Sequence, residues 1–363
     1  MMNQTYSQQP TSTPYLSPLD FWSLKEYGIL ADQLTDQVQI ERLMDHVLET
    51  CDADEDYWEP RNNRMLEDQR FWELGVRTKH VVGSLKAKTS DEQEQEAEMI
   101  ELNDGYLTVD KLTSMTAGAF WGIDVPPRDT KLTDVSQKIE NFLRWGEEEL
   151  NARHALALNS SISRDEAHYA CLRGWICGMI LPNPEDPQVP WNYVLEDPLF
   201  VYPRYSRNRL IRVTHRYTVP VLEAREDYPE VMEQIWNRDE EEDVDITCYY
   251  DNKYKMIMLG DPKTNSLNRF KALVQPLTSH GYRDLQDNPI NPWIIVTPRG
   301  TPTRRLYTHS SSSKREKDNV VAMIGLSVLH PIKSVIEDFE RLVSQLHTEV
   351  AKGVNPPKVV YYD

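Results

Sequence analysis

The run PIKSVIEDFERLVSQLHTEVAK, residues 331–352, carries the clearest period in the chain. Ile332, Val335, Ile336, Phe339, Leu342, Val343, Leu346 and Val350 recur at helical spacing and make one face continuously apolar. Ser334, Glu337, Arg341, Ser344, Thr348 and Lys352 fall on the other side, and Glu337 to Arg341 is a favourable i,i+4 ion pair. Pro331 suits a first helical turn, whereas Gly353 and Pro356-Pro357 stop the helix. At 1.5 Å per residue such a helix spans roughly 33 Å. An amphipathic helix of this length either packs along its own domain or offers its apolar stripe to another chain.

Upstream, the chain changes character near Pro182. Beyond it, Tyr, Val and Ile are enriched and Leu199 to Tyr205, Leu210 to Tyr217 and Asp245 to Leu259 alternate like strands, with one more at Trp293 to Thr297. Asp251-Asn252-Lys253 interrupts the third run, and Asn tolerates a left-handed turn, so Ile246 to Leu259 reads as a hairpin. Val221 to Trp236 reads as a helix followed by an acidic loop, Asp239 to Asp245. Arg299 to Lys317 reads as an exposed loop and is the one appreciably basic stretch.

Before Pro182 the period is helical. Leu34 to Leu48 and Met65 to Val76 read as two amphipathic segments, and Asp134 to Leu150 as a third with Val135, Ile139, Phe142, Leu143 and Leu150 on one stripe. Ser163-Arg164-Asp165-Glu166 fits a capping box that starts a further helix, whose Ala167, Ala170, Cys171 and Gly174 form a small-residue face. The acidic groups Asp52, Asp54, Glu55 and Asp56, and the run Asp91 to Glu98, read as solvated faces. The first 18 residues, rich in Gln, Ser, Thr and Pro, read as a flexible arm.

Composition narrows the function classes. With 363 residues, 39% of them hydrophobic, the chain has enough material for a real core. No run approaches the roughly 18 apolar residues of a membrane helix, and no signal peptide is legible, so no membrane partner is expected. The net charge of −18 argues against nucleic acid wrapped tightly on the whole surface, although it suits a wall past which a polyanion slides. Cys51, Cys171, Cys177 and Cys248 lack zinc-ligand spacing and read as buried reduced thiols. Phosphate loops, dinucleotide-binding glycine turns, HExxH pairs and GxSxG elbows are all missing from the sequence, so no cofactor, metal or catalytic residue is expected.

The order of motifs along most of the chain resembles the N-terminal half of tailed-bacteriophage portal proteins, the head-to-tail connectors. Leu112 to Trp121, then Val125-Pro126-Pro127-Arg128 and Ile139-Glu140-Asn141-Phe142-Leu143, look like the family's early helices and the link between them. Ala170 to Leu181, with Arg173-Gly174-Trp175, resembles its helix that runs into a strand at an arginine-glycine-tryptophan-like step. Asp197-Pro198 to Tyr205 is similar to the strand entering the wing sheet. Asn319 to Leu329, the long helix and Asn355-Pro356-Pro357-Lys358-Val359-Val360 look like the first stem helix opening into the clip.

The resemblance implies an α+β fold: a wing domain of helices on a mostly antiparallel sheet over 19–317 after an arm at 1–18, a projecting stem helix over 318–353, and the start of a clip at 354–363. A portal subunit would continue into a clip, a returning stem helix, a tunnel loop and a crown, and this sequence stops at Asp363, about where the clip begins. The implied function is structural, with no enzymatic activity. A head-to-tail interface that closes gives a ring, here of about twelve copies, at the capsid vertex of a virion assembled in the host cytoplasm. The implied partners are double-stranded DNA in the channel, the terminase packaging motor, the major capsid or scaffolding protein and a tail adaptor. The apolar stripe would then be buried between subunits or against the returning stem helix, with Phe339, Leu342, Val343 and Leu346 the candidate contact to a neighbouring subunit, and Glu337, Arg341, Thr348 and Lys352 would face the channel. Two other classes stay open: a different oligomeric capsid or tail scaffold, and a carboxylate-based hydrolase or nuclease without a recognisable motif.

Overall fold

The computed structural model describes residues 37–73, 103–119, 123–127, 129, 132–183, 189, 191–206, 209–229, 241–260, 271–276, 289–300 and 312–354. The arm at 1–18, the acidic run Asp91 to Glu98, most of the basic stretch and Asn355 to Val360 lie outside these residues. The fold is α+β. Helix α1 spans Gln37–Trp72, α2 Asp104–Ala117, α3 Thr133–Leu158 and α4 Ile162–Leu172. Strands β1 (Ile176–Pro182), β2 (Trp191–Glu196), β3 (Val201–Tyr205) and β4 (Leu210–Pro220) come next, then α5 (Val221–Asp227). Strands β5 (Asp243–Tyr250), β6 (Tyr254–Leu259), β7 (Lys271–Pro276) and β8 (Trp293–Val296) precede α6 (Lys314–Ala322) and α7 (Lys333–Val354). The chain divides into two compact units. One comprises Met1–Trp58, Ile180–Pro182 and Phe200–Trp293, the other Glu59–Met179, Asn183–Leu199 and Ile294–Asp363.

Helix α1 carries charge on its buried face. Val47, Cys51, Asp54, Trp58, Arg61, Met65 and Asp68 succeed one another by four and three residues, and each is at most 2% exposed. This is a regular buried helical face on which three positions are charged. Over the described residues, the two segments expected at Leu34 to Leu48 and Met65 to Val76 belong to one helix, continuous through Pro60. Apolar periodicity broke off at Asp52 to Asp56 because it counts every charge as surface, and at Asp54 that is incorrect.

In the first unit, five strands form an antiparallel sheet in the order β3-β4-β5-β6-β7. Strand β5 from Ile246 to Tyr250 and β6 from Met256 to Leu259 are buried without alternation, as expected where both faces of a sheet are covered. The expected hairpin is present, and its turn is fastened by Asp251, whose Oδ1 accepts from the backbone N–H of Lys253 at 2.7 Å and of Tyr254 at 2.8 Å. Asn252 does not adopt the left-handed conformation; among described non-glycine residues that belongs to Asn159.

Arg204 on β3 and Arg212 on β4 are direct cross-strand partners, a juxtaposition that like charges make unfavourable. Asp54 of α1 resolves it. Arg204 Nε donates to Asp54 Oδ1 at 2.5 Å, while Arg212 donates to both carboxylate oxygens at 2.8 Å. Two residues further along β4, Thr214 reaches Cys51 Sγ at 3.5 Å, and then Arg216 bonds Asp52 and Glu55 at 2.8 and 2.6 Å. The N–H of Trp58 completes the seam by donating to the Pro203 carbonyl at 2.8 Å. So the acidic group that reads as solvated is the glue between helix and sheet.

The second unit holds β2, Ile176–Met179 of β1 and Ile294–Val296 of β8, strands that pair in the order β2-β1-β8, and the helices α2, α3, α4, α6 and α7. Helices α2 and α4 pack closely, and Phe71, Val109, Cys171, Leu172, Val328, Leu329 and Ile336 form the core there. Helix α4 begins two residues earlier than expected. Its N-cap is Ser161, whose hydroxyl accepts from the N–H of Arg164 at 3.2 Å, so Ser163 sits inside the helix. Glu166 is instead held by the Tyr193 hydroxyl at 2.8 Å, and burial pushes its carboxyl pKa up. The capping box lies elsewhere, at Ser313 and Glu316, which makes Lys314–Lys317 the first turn of α6 and not part of an exposed loop. Helix α5 spans Val221–Asp227, and residues 230–236 of the helix expected over Val221 to Trp236 lie outside the described residues.

Two stability measurements check these assignments. Asp54→Ala leaves two arginines facing each other beside a buried hole and is expected to lower the unfolding free energy by about 3–5 kcal/mol, whereas Asp52→Ala, at an exposed position, is expected to lower it by less than about 1 kcal/mol. Equal effects in urea unfolding would contradict the clamp. Ser161→Ala is expected to cost about 1 kcal/mol by loss of the cap, with Ser163→Ala close to neutral; the reverse order would make Ser163 the cap.

Candidate subunit interface

Helix α7 is rooted at its N-terminal end. The N–H groups of Ile332 and Lys333 both donate to the Leu329 carbonyl, at 3.0 and 2.9 Å, and Ile336 N–H to Ile332, which turns the chain into the helix just past Pro331. Ile336 is buried among Phe71, Val109, Cys171, Leu172, Val328 and Leu329, with Ile332 packed beside them.

The fully buried carboxylate of Asp68 fixes this root from α1. Its Oδ2 accepts from the Ser327 hydroxyl at 2.8 Å, and Ser327 Oγ in turn accepts from the N–H of His330 at 3.2 Å. Lys333 Nζ lies 2.8 Å from Asp68 Oδ1, an ion pair more than an aligned hydrogen bond, and within 6.0 Å of the Phe71 ring centroid. One turn earlier, Arg64 donates to the carbonyls of Ala322 and Ile324 at 2.6 and 3.1 Å. Burial draws the Arg64 pKa down to about 10 although Asp68 opposes the shift, so it stays charged at neutral pH.

The Arg173-Gly174-Trp175 step between α4 and β1 supports the same segment, and each residue has its own reason. Arg173 forks onto Asp197 at 3.0 and 2.7 Å and onto the Met65 carbonyl at 3.3 Å. Gly174 has φ +73°, and a Cβ there would collide with the Leu326 backbone. Trp175 is fully buried under the Arg61 guanidinium, and its N–H donates to the Ile324 carbonyl at 3.0 Å. Gly325 lies against that indole at φ +59°, where a Cβ would meet Trp175 Nε1.

The rotation of α7 about its axis differs from the simplest reading of its sequence. The inward line is Ile336, Glu340 and Ser344, the last two only 3% and 2% exposed. Ser344, expected on the polar outer face, is therefore buried. The apolar stripe splits: Ile332 and Ile336 turn inward and Val343 is partly covered, while Phe339, Leu342 and Leu346 are 51%, 60% and 64% exposed, flanked by exposed Val335 and Val350. Glu337 and Arg341 are exposed away from that stripe, and Arg341 pairs with Asp338 at 2.6 Å, not with Glu337. The side chains of Thr348 and Lys352 lie outside the described residues.

Helix α3 behaves similarly. Gly146 lets the Trp191 ring approach, Leu150 is buried and Leu143 half-buried, but Val135, Ile139, Phe142 and Trp145 remain exposed. The sequence showed this stripe but held no signal that it stays uncovered.

Two arrangements could be mistaken for catalytic chemistry. His154 Nε2 and the Ser160 hydroxyl both contact Asp165, at 2.7 and 2.6 Å. The acid sits between the other two, so no base touches the hydroxyl; the trio fastens the turn between α3 and α4 together with Asn151, which accepts from Ile162 N–H. His215, lowered to about 3 by burial, is stacked on Tyr217 in the interior. The four cysteines are free thiols and buried, and desolvation raises Cys51 to about 12. Among the described residues no three His, Cys, Asp or Glu side chains are grouped to hold a metal, and no helix is long and apolar enough to cross a membrane. No protein-family model matches the chain, and a search of curated proteins finds no similar sequence.

The glycine at the step gives a direct check. Gly174→Ala combines a left-handed backbone with a steric clash and is expected to cost roughly 2–4 kcal/mol. Gly118→Ala, at a right-handed helix end, is expected to cost less than about 1 kcal/mol. Denaturant unfolding of both variants measures the difference, and equal costs would mean that the backbone at Gly174 can move away from Leu326.

Proposed function

We propose that this chain is a structural subunit of the portal type, built to assemble side by side into a closed ring that passes DNA. The observation that carries the reading is the uncovered stripe of α7. A helix rooted in a packed core at Ile336 presents Phe339, Leu342, Leu346 and Val350 to solvent over several turns. A contiguous apolar surface of this kind on an isolated chain marks a protein interaction site. The other support is the order of elements: a helix entering a strand through Arg173-Gly174-Trp175, an antiparallel sheet with a β5-β6 hairpin, and a long final helix.

On this reading Phe339, Leu342, Val343 and Leu346 contact the neighbouring subunit, and Glu337 and Arg341 belong to the polar side past which DNA moves. A net charge of −18 keeps such a surface from gripping a polyanion. The chemistry is passive. The subunit holds a ring open at a capsid vertex, where the packaging motor, capsid or scaffolding protein and tail adaptor would dock, and it hydrolyses nothing.

Native mass measurement tests the reading. The unmodified chain is expected to assemble with rising concentration toward a ring of about twelve copies, and Phe339→Asp to remain monomeric with an unchanged unfolding midpoint, because its side chain is half exposed in the isolated chain. A chain that stays monomeric up to high concentration would overturn the proposal. So would a Phe339→Asp variant that assembles as well as the parent.

A further inference from the structure

A closed ring of identical copies needs two different surfaces on each, because a head-to-tail contact joins one patch to a distinct patch on the next. The α7 stripe is one such patch, and the second unit carries another. Leu132, Val135, Ile139, Phe142 and Trp145 are between 40% and 50% exposed. They advance by three, four, three and three residues along one side of α3, much as Val335, Phe339, Leu342, Leu346 and Val350 advance by four, three, four and four along α7. Among the described residues, these are the two helices on which exposed large apolar side chains form a continuous series.

We propose that α7 of one subunit docks its apolar stripe on the α3 stripe of the next, and that this pairing of two unlike helices is the head-to-tail contact of the assembly. The inference rests on the ring reading above and adds the identity of the acceptor. Three- and four-residue spacing on both helices is the geometry in which side chains of one row fill the gaps of another. Neither stripe alone offers enough area for a specific contact; together they supply on the order of 1,000 Å², close to the lower bound for stable association. The aromatic content falls where interface anchors are expected: Phe142 and Trp145 lie near each other on α3, with Phe142 edge-on to Trp191 beneath it, and Phe339 is the corresponding large ring on α7.

A mixing experiment separates this contact from other ways of assembling. Phe339→Asp damages the α7 patch and keeps the α3 patch, while Ile139→Asp does the opposite; both sites are exposed, so both variants are expected to fold. Each variant alone is expected to be monomeric by native mass, and the two mixed to form a one-to-one pair that grows no further. As a second measurement needing no charged substitution, chains carrying Leu342→Cys and Ile139→Cys are mixed and treated with a short bismaleimide; a covalent pair is expected in the mixture and in neither alone, the four native cysteines being buried. If Ile139→Asp still assembles alone, or Leu342→Cys links to itself, α7 meets something other than α3 and the inference fails while the ring reading stands. If the unmodified chain never assembles, both fail.

Discussion

A charge buried without a partner is among the most costly defects a protein can carry, and α1 buries four charged side chains, at Asp54, Arg61, Arg64 and Asp68. Each has therefore to be met from outside the helix or stacked upon. Asp54 is met by Arg204 and Arg212, Arg61 lies over the Trp175 ring, Arg64 donates to the carbonyls of Ala322 and Ile324, and Asp68 receives Ser327 and Lys333. Apolar contacts tolerate small slips in register; these pairs do not, because a shift of one residue would strand a carboxylate or a guanidinium in the interior. Within the first unit they fix the part of α1 up to Trp58 against the five-stranded sheet; within the second they fix the part from Glu59 against the 322–333 segment.

The consequence for function comes through Asp68. By engaging both Ser327 and Lys333, it sets the direction in which the chain leaves the core and also the rotation of α7 at its first turn. That rotation turns Ile336, Glu340 and Ser344 inward and leaves Phe339, Leu342 and Leu346 outward. With α7 turned so that its most apolar side faced the core, the helix would be a routine part of a monomer. The polar side chains on the inward line are what make the outward stripe available, and they depend on a buried ion pair more than 260 residues apart in sequence.

Much of this architecture was legible in the sequence, for identifiable reasons. The β5-β6 hairpin came from alternation and a polar interruption, α3 and α7 from strong apolar periods, and the α4-to-β1 step from the family resemblance at Arg173-Gly174-Trp175. What the sequence concealed had one cause: charged and hydroxyl side chains in the interior. Asp54 looked solvated because it stands in an acidic cluster, and only its two arginine partners, about 150 residues away, show otherwise. Ser163 read as the cap from its spacing to Glu166, whereas the cap is Ser161, two residues after the left-handed Asn159. The stripes on α3 and α7 were visible as amphipathic faces, but the period of a face says nothing about whether the chain itself covers it. Glu337 and Arg341 are exposed, and Arg341 takes the nearer Asp338 as its partner in place of Glu337.

The central claim is that the α7 stripe is exposed in the single chain and covered by another copy. The most direct measurement is the maleimide labelling rate of a cysteine placed at Leu346, tracked as protein concentration is raised alongside native mass. The account predicts fast labelling at high dilution and a fall of at least about tenfold as assembled species appear, since an interface core excludes solvent. Slow labelling of the dilute monomer, or a rate that stays constant while the mass increases, would contradict it.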